Sequence, residues 1–484
     1  MSVIHFKLNQ QLVELDDYSS NTTLLQYLRS SGLSGTKEGC AEGDCGACSV
    51  AILDPISPEG PTWRAVNSCL VFLPMLHSRE IVTVEGLAED DRPHPAQKEL
   101  VDRLGSQCGY CTPGIVMSLF EACYRNDLDE SWKIDDQLCG NLCRCTGYRP
   151  IREAAHAVAP LRLNDPFQEA LGRSHPAQEP LSYQHGNQKY QRPGSFADLW
   201  DAMDATPEAR LIAGGTDLGL LVTKRFEELP ALISLEGIPE LRQVTSNSDT
   251  WRIGAATLLS DLETQTAKGL PLLARMLRFF ASRQIKNRAT LGGNLCNASP
   301  IGDMAPVLMA LSAQAVLASR LGERRVPLDR FFLDYRKTAL EAKEILSSVE
   351  VPVPGPEWKL GAYKVSKRRE LDISAVCSAF AVRLDEQGQV AEIRLCYGGM
   401  AATTRRAAST EAALLGQVWN RESVDRALVQ LSEDFQPIDD QRGSGWFRAT
   451  LARNLLLGFF LETEATPFHS LPDRPSSTLI LAEQ

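Results

Sequence analysis

The chain has 484 residues, 43% hydrophobic and 23% charged, which excludes a mostly disordered chain, a fibre or a coiled coil. Fifty Lys and Arg against 61 Asp and Glu leave a net charge of −11, which argues against nucleic acid or an anionic membrane as the main partner. No apolar run approaches the ~20 residues that span a bilayer. The opening Met1-Ser2-Val3-Ile4-His5-Phe6-Lys7 lacks the basic flank and apolar stretch of a signal peptide. A cytoplasmic protein of about three domains is expected.

From the N-terminus, Val3 to Leu15 alternates apolar and polar residues across Asn9-Gln10, which predicts a hairpin. Thr22 to Ser30 has helical spacing through Leu24, Leu25 and Leu28, and Gly32 supplies a stop. A loop rich in Gly and Cys follows, then a strand over Ser49 to Leu53. From Pro95 to Val158 the pattern turns helical: Pro95 and Pro113 suit first-turn positions, and Ile115, Leu119, Ala122 and Cys123 share one face. Leu161 to Pro193 lacks apolar periodicity and reads as a surface linker. Short strands (Leu211 to Ala213, Leu232 to Ser234, Trp251 to Gly254) then alternate with helices. The last region holds strand-like runs at Ala379 to Arg383 and Glu392 to Gly398, followed by helices. The expected segments are 1–85, 86–160, a linker at 161–193, 194–368 and 369–484.

Ten of the 13 cysteines lie between Cys40 and Cys145. Without a signal peptide, clustered thiols favour a metal or cluster site over disulfides. Cys40-x4-Cys45-x2-Cys48 followed by Cys69 has the plant-type ferredoxin spacing of a [2Fe–2S] ligand set. Gly39, Gly43 and Gly46 let that loop bend tightly and bring amides near the cluster sulfurs. Zinc loops usually pair Cys-x2-4-Cys with a second such pair or with histidines, so zinc is the weaker reading. Cys108-x2-Cys111 and Cys143-x-Cys145 form a second set. By spacing alone it suits zinc equally well; beside a ferredoxin-type loop, a second [2Fe–2S] cluster is the better reading. Cys123 lies on the apolar helix face and reads as core, and Cys139 is left without a role.

The runs Gln107-Cys108-Gly109-Tyr110-Cys111-Thr112-Pro113-Gly114 and Asn141-Leu142-Cys143-Arg144-Cys145-Thr146-Gly147-Tyr148, in this order, resemble the iron–sulfur part of the molybdenum hydroxylases. Xanthine dehydrogenase, aldehyde oxidase and carbon monoxide dehydrogenase belong to that family. The resemblance implies an α+β multidomain chain: a ferredoxin-like β-grasp domain and a helical-bundle domain, each with one [2Fe–2S] cluster, before an α/β FAD-binding domain with a C-terminal α+β subdomain. It also places Gln107 and the Asn141 to Tyr148 loop against a molybdenum-bearing partner.

No Gly-x-Gly-x-x-Gly fingerprint occurs, so the flavin domain is not a Rossmann fold. Leu211 to Gly219 runs from an apolar strand into a glycine turn. Thr290-Leu291-Gly292-Gly293-Asn294 leads to a helix start expected at Ser299 and Pro300, whose free N–H groups suit a pyrophosphate. Alone these are ordinary tight turns. By resemblance, Ala213, Gly214, Gly215, Thr216 and Asp217, with Gly292, Gly293, Asn294, Ser299 and Asp303, contact FAD. Phe280 aligns with the residue that stacks on the flavin, Tyr335 with one near the nicotinamide site, and Lys364 opens the basic loop Lys364 to Glu370. Asp334 and Leu371 depart from the pattern at those two loops.

A catalytic molybdopterin domain is not expected on this chain, so no residue here hydroxylates substrate. The arrangement resembles the small subunit of bacterial xanthine dehydrogenases. It implies a molybdenum-binding large subunit in a dimer of heterodimers, electron flow through both clusters to FAD, and NAD+ as acceptor. An aldehyde or nicotinate enzyme is the alternative, and a non-catalytic ferredoxin-type carrier a more distant one.

Overall fold

The computed structural model describes residues 3–88, 92–175, 178–368 and 371–464. The chain divides into two units, one of Met1–Arg242, Leu258–Asp261 and Ala281–Thr290, the other of Gln243–Thr257, Leu262–Phe280 and Leu291–Gln484.

In the first unit, the N-terminal alternation becomes β1 (Ile4–Leu8) and β2 (Gln11–Leu15), antiparallel across Asn9 and Gln10 at positive φ. β3 (Ser49–Asp54), β4 (Thr62–Asn67) and β5 (Glu80–Val82) complete a sheet of order β2-β1-β5-β3-β4. Only β1 and β5 run parallel in it. The helix α1 (Leu24–Ser30) starts at a capping box. Thr23 Oγ1 accepts from the Gln26 N–H (3.2 Å), and Gln26 Oε1 accepts from the Thr23 N–H (2.8 Å).

Four helices follow: α2 (Pro95–Asp102), α3 (Thr112–Tyr124), α4 (Ser131–Leu138) and α5 (Arg149–Val158). α3 is buried from Gly114 to Tyr124, because its faces meet both the other helices and the sheet. Its Ile115 and Phe120 share a core with Leu53 and Trp63 of the strands. The two segments are separate in sequence pattern but not in packing.

The stretch expected to be a linker is built. Asp165 caps α6 (Pro166–Gly172), accepting from the Gln168 N–H at 2.8 Å. β6 (Leu181–His185) and β7 (Gln188–Arg192) form a hairpin around Gly186 at positive φ. Leu181, Tyr183 and Tyr190 enter the core under β1. Three apolar residues at strand spacing suffice, because their neighbours on the other face are polar and solvated. With α7 (Phe196–Ala205), β8 (Arg210–Ile212), α8 (Leu218–Thr223) and β9 (Ala231–Ser234), the hairpin makes a sheet of order β6-β7-β9-β8.

The second unit holds two larger antiparallel sheets besides the hairpin Phe332–Asp334 and Lys337–Thr338. One takes its strands in the order Val244–Ser246, Thr250–Gly254, Ile345–Pro352, Gln314–Ser319 and Gly322–Pro327. The other comprises Trp358–Val365, Val376–Leu384, Val390–Gly398 and Arg405–Arg406, with the helix Gly445–Thr463 packed on it through Leu456, Phe459 and Phe460. The C-terminal sheet thus starts at Trp358, ahead of the expected boundary at residue 368. Among the described residues, no helix is long and apolar enough to cross a membrane.

Buried charge ties the first unit together. Arg64 meets Asp54 at 2.8 Å and Asp261 at 2.5 Å, and Arg242 reaches Asp54 at 2.9 Å and Asp261 at 3.3 Å. Burial opposes ionisation of Asp54, but the two guanidinium groups win and hold its carboxyl far below the usual range. Removing one member leaves buried charge unpaired, so Asp54→Ala is expected to cost about 3–5 kcal/mol. Calorimetric melting of the full chain checks this, and an unchanged melting temperature would refute it.

Candidate metal and cofactor sites

The first cysteine set converges. The Cys40 N–H donates to Cys45 Sγ (3.4 Å), and Cys48 Sγ lies 3.4 Å from Cys69 Sγ. The loop from Cys40 to Cys48 wraps back so that the N–H groups of Glu42 (3.4 Å), Asp44 (3.3 Å) and Cys45 (3.3 Å) all point at Cys40 Sγ. The Cys45 thiol and these amides pull Cys40 down to about 5 against partial burial, while the same contact pushes Cys45 up. Cys48 is lowered and Cys69 raised by their mutual contact. A loop that aims three amides at one sulfur is arranged for thiolate, which is what an iron–sulfur cluster requires. The bend needs Gly46 at φ +69°, and a methyl carbon there would lie 2.0 Å from the Gly140 carbonyl oxygen.

The second set also comes together. Cys111 caps α3, Cys108 contacts Cys145, and Cys111 contacts Cys143. Burial, then Cys143, raises Cys111 to about 12, whereas the Tyr110 N–H lowers Cys108. The turn after Cys143 is held by Thr146 Oγ1 (3.1 Å from Cys143 Sγ) and by the Tyr148 hydroxyl, which accepts from the Cys143 N–H at 2.9 Å. Gln107, Tyr110, Leu142, Cys145 and Tyr148 are exposed. Asn141, expected to face outward with that loop, is buried instead, because its amide is used inside the protein. All eight thiols are free of disulfides.

The two sets touch through backbone. The Leu142 N–H donates to the Cys45 carbonyl (3.0 Å), and Asn141 Nδ2 donates to the Gly46 carbonyl (3.1 Å). The short helix Arg283–Lys286 is driven in beside them: Gln284 bonds Ser118 and Asn141 (both 2.8 Å), and Lys286 bonds the buried Asp136. Nothing in the linear sequence pairs these residues.

The flavin-type segments are placed unit by unit. In the first, Ala213 to Asp217 turns between β8 and α8. A methyl carbon on Gly214 would fall 1.7 Å from the Arg288 carbonyl oxygen, and Gly215 has φ +79°. Arg288 Nε donates to the Gly214 carbonyl (3.4 Å), and the buried Glu236 holds Arg288 at 2.5 Å. In the second unit, Lys364 Nζ meets Asp303 Oδ2 at 2.7 Å and lies 5.9 Å from the Phe280 ring centroid. Ser374, which the sequence did not single out, donates to Asp303 Oδ1 at 2.5 Å. Among the described residues, Asn294 Oδ1 is buried without a partner, an acceptor suited to a ligand hydroxyl.

The helix expected from Ser299 begins at Met304 with Asp303 at its N-cap. The Pro300 carbonyl is taken instead by the Gly399 N–H (2.7 Å), and the Gly302 N–H closes a turn onto Ser299. Tyr335 is exposed at the tip of the hairpin Phe332–Asp334 and Lys337–Thr338, with Arg336 over its ring. The basic loop is described through Arg368; Arg369 and Glu370 lie outside the described residues.

A further cluster, His5, His77 and Glu179, has ligand-like spacing. However, His77 Nδ1 accepts from the His5 N–H (3.2 Å), so the proton of the neutral ring sits on Nε2, which faces Glu179. Burial lowers His77 to about 4, keeping it neutral. His77 is thus committed, as a neutral ring, to the His5 backbone.

Comparison with known proteins follows the same division. The 2Fe-2S iron-sulfur cluster binding domain matches residues 6–73, and the [2Fe-2S] binding domain residues 83–156. The FAD binding domain in molybdopterin dehydrogenase matches 183–354, and the CO dehydrogenase flavoprotein C-terminal domain 361–463. The chain is 35% identical to xanthine dehydrogenase of Emericella nidulans, over 94% of this chain and 38% of that protein. It is 33% identical to xanthine dehydrogenase/oxidase of Rattus norvegicus, with the same coverage. The chain therefore spans about two fifths of these relatives.

Among solved structures, carbon monoxide dehydrogenase from Hydrogenophaga pseudoflava matches at 30% identity and TM-score 0.52, over 56% of this chain and 95% of that one. Quinoline 2-oxidoreductase from Pseudomonas putida 86 matches at 27% and 0.52, over 58% and 97%. The fold and the two cysteine sets define an oxidoreductase component built to hold iron–sulfur clusters and flavin. The chain belongs to the molybdenum hydroxylase family, of which it carries the [2Fe–2S] and FAD-binding part.

Because a side chain at Gly214 would overlap the Arg288 carbonyl, Gly214→Ala is expected to lose most of its bound FAD while keeping its iron. Flavin absorbance and iron per chain decide this; full flavin in the variant would refute it.

Proposed function

We propose that this chain is the electron-transfer component of a xanthine dehydrogenase: xanthine, water and NAD+ give urate and NADH, with xanthine oxidised at a molybdenum centre on a partner subunit. The observation that carries the relay is the single hydrogen bond joining a residue of one cysteine set to the neighbour of a residue of the other, 3.0 Å from Leu142 N to the Cys45 oxygen. Support for xanthine as substrate is the 35% identity over 94% of the chain to a xanthine dehydrogenase.

Cys40, Cys45, Cys48 and Cys69 would hold one cluster, Cys108, Cys111, Cys143 and Cys145 the other. When bound, the clusters carry single electrons, and FAD collects two and delivers them as hydride to NAD+. The amides around Cys40 stabilise negative charge on the sulfur. The glycine turn Ala213 to Asp217 and the residues Gly292, Gly293, Asn294, Ser299 and Asp303 are proposed to contact FAD, with Phe280 against its ring. Lys364, fixed by Asp303, would offer a cation beside the flavin when it is bound, and Tyr335 is proposed to border the NAD+ site. Tyr110 (51% exposed), Leu142 (38%) and Tyr148 (43%) surround the second set with apolar surface, which favours this face as the docking site for the molybdenum subunit. A dimer of such heterodimers is proposed for the whole enzyme.

The isolated chain is expected to hold four irons, four acid-labile sulfides and one FAD; stoichiometric zinc with half the iron would overturn the two-cluster reading. Cys111→Ser should keep FAD and NADH-to-dye turnover yet abolish xanthine-to-NAD+ turnover in the complex. Turnover of the complex with an aldehyde, nicotinate, quinoline or carbon monoxide, but not xanthine, would replace the substrate. On binding the partner, amide exchange around Cys108 and Cys143 should slow while Lys364 to Arg368 is unchanged. Protection confined to the Lys364 loop would reverse the direction of electron entry.

A further inference from the structure

Gln284 and Asn141 belong to parts of the chain far apart in sequence, and neither is a cysteine ligand. Both are buried, Gln284 with 1% exposure. Asn141 Oδ1 accepts two hydrogen bonds, from Ser118 Oγ (2.6 Å) and Gln284 Nε2 (2.8 Å). Two donors on the oxygen leave one orientation for the amide. Its Nδ2 must then point away from them, and it donates to the Gly46 carbonyl at 3.1 Å. Gly46 follows Cys45, and Leu142, which follows Asn141, donates to the Cys45 carbonyl. The loops bearing Cys45 and Cys143 are therefore joined by two adjacent hydrogen bonds, one of which is set by Gln284.

Close packing leaves this join no slack. A methyl carbon on Gly114 would lie 2.1 Å from the Gly46 oxygen, and one on Gly140 would lie 1.8 Å from Gln284 Oε1. Among the described residues that oxygen has no hydrogen-bond partner. A buried carbonyl without a donor lowers stability. Hydrophobic side chains of Gln284's length would fill the same space without that cost. What they would lack is the donor to Asn141.

We propose that Gln284 and Asn141 are positioning residues for electron exchange between the two cysteine-bound centres, fixing the Cys45 carbonyl to Leu142 N–H hydrogen bond that links them. The inference rests on the reading of both cysteine sets as [2Fe–2S] sites. The step served is a one-electron exchange, one centre oxidised as the other is reduced, with no proton moved and no sulfur bond broken. Gln284 acts by orienting the Asn141 amide, and Asn141 by drawing Gly46 and hence Cys45 onto Leu142.

The test compares the full chain with Gln284→Leu and Asn141→Asp. The first removes the donor to Asn141. The second keeps an oxygen for both acceptor contacts and replaces the donor to Gly46 with a second oxygen, which repels the Gly46 carbonyl. Each protein is reduced fully with dithionite. Iron content, the low-temperature electron spin resonance splitting between the two centres, and amide exchange at Leu142 are then measured. The expected result is full iron, loss of most of the splitting and faster exchange at Leu142 in both variants. Unchanged splitting and exchange in both, at full iron, would overturn the proposal. Should Gln284→Leu lose iron, Asn141→Asp decides by the same criteria. Failure of the underlying reading shows separately, as wild-type protein without two iron–sulfur signals.

Discussion

A carboxylate buried in the middle of an apolar helix is the constraint around which the first unit is organised. Glu121 lies on α3 at 1% exposure, among residues that offer it nothing. It is satisfied from four directions: by the Ala65 N–H of β4, Gln137 of α4, Arg283 and Asn287. An unpaired buried carboxylate would cost several kcal/mol, so these elements must meet where Glu121 sits. The sheet, the helical bundle and the segment from residue 281 are thereby fixed to one another.

The consequences spread along that segment. Arg283 and Asn287 serve Glu121, Lys286 serves Asp136, and Gln284 reaches Asn141. Ile285 packs beside Cys48, Cys69 and Leu70, under the first cysteine set. Two residues past the helix, Arg288 supports the Gly214 turn. A helix of four residues would not persist alone. Here it is held entirely by what its side chains do, and it brings two metal sites and one flavin-type turn into register.

Much of this was open to reading from the sequence, because local chemistry leaves local marks. The ferredoxin spacing of Cys40 to Cys48 and the paired Cys-x2-Cys and Cys-x-Cys motifs announced two converging thiol groups. The spacing of Leu24, Leu25 and Leu28 marked the first helix. Other features had weaker marks or none. Leu181, Tyr183 and Tyr190 carry a strand period, but polar residues between them and a nearby proline made the stretch look like a linker. The helix after Ser299 starts later than its Ser-Pro signal, since Gly399 competes for the Pro300 carbonyl. Gln284, Ser374 and Glu121 leave no trace in periodicity, because their roles depend on partners many residues away.

The 162 residues between Glu121 and Arg283 also impose an order on synthesis. At 5–20 residues per second, the carboxylates of Glu121 and Asp136 leave the ribosome about 8 to 32 s before the cations that neutralise them. During that interval the N-terminal domains have their cysteines but not their final core. Until residues 283–287 are made, Glu121 and Asp136 lack Arg283 and Lys286, the cations that meet them in the folded chain. The part of the α3 and α4 packing that depends on those two contacts therefore forms only after synthesis has reached the flavin-type sequence.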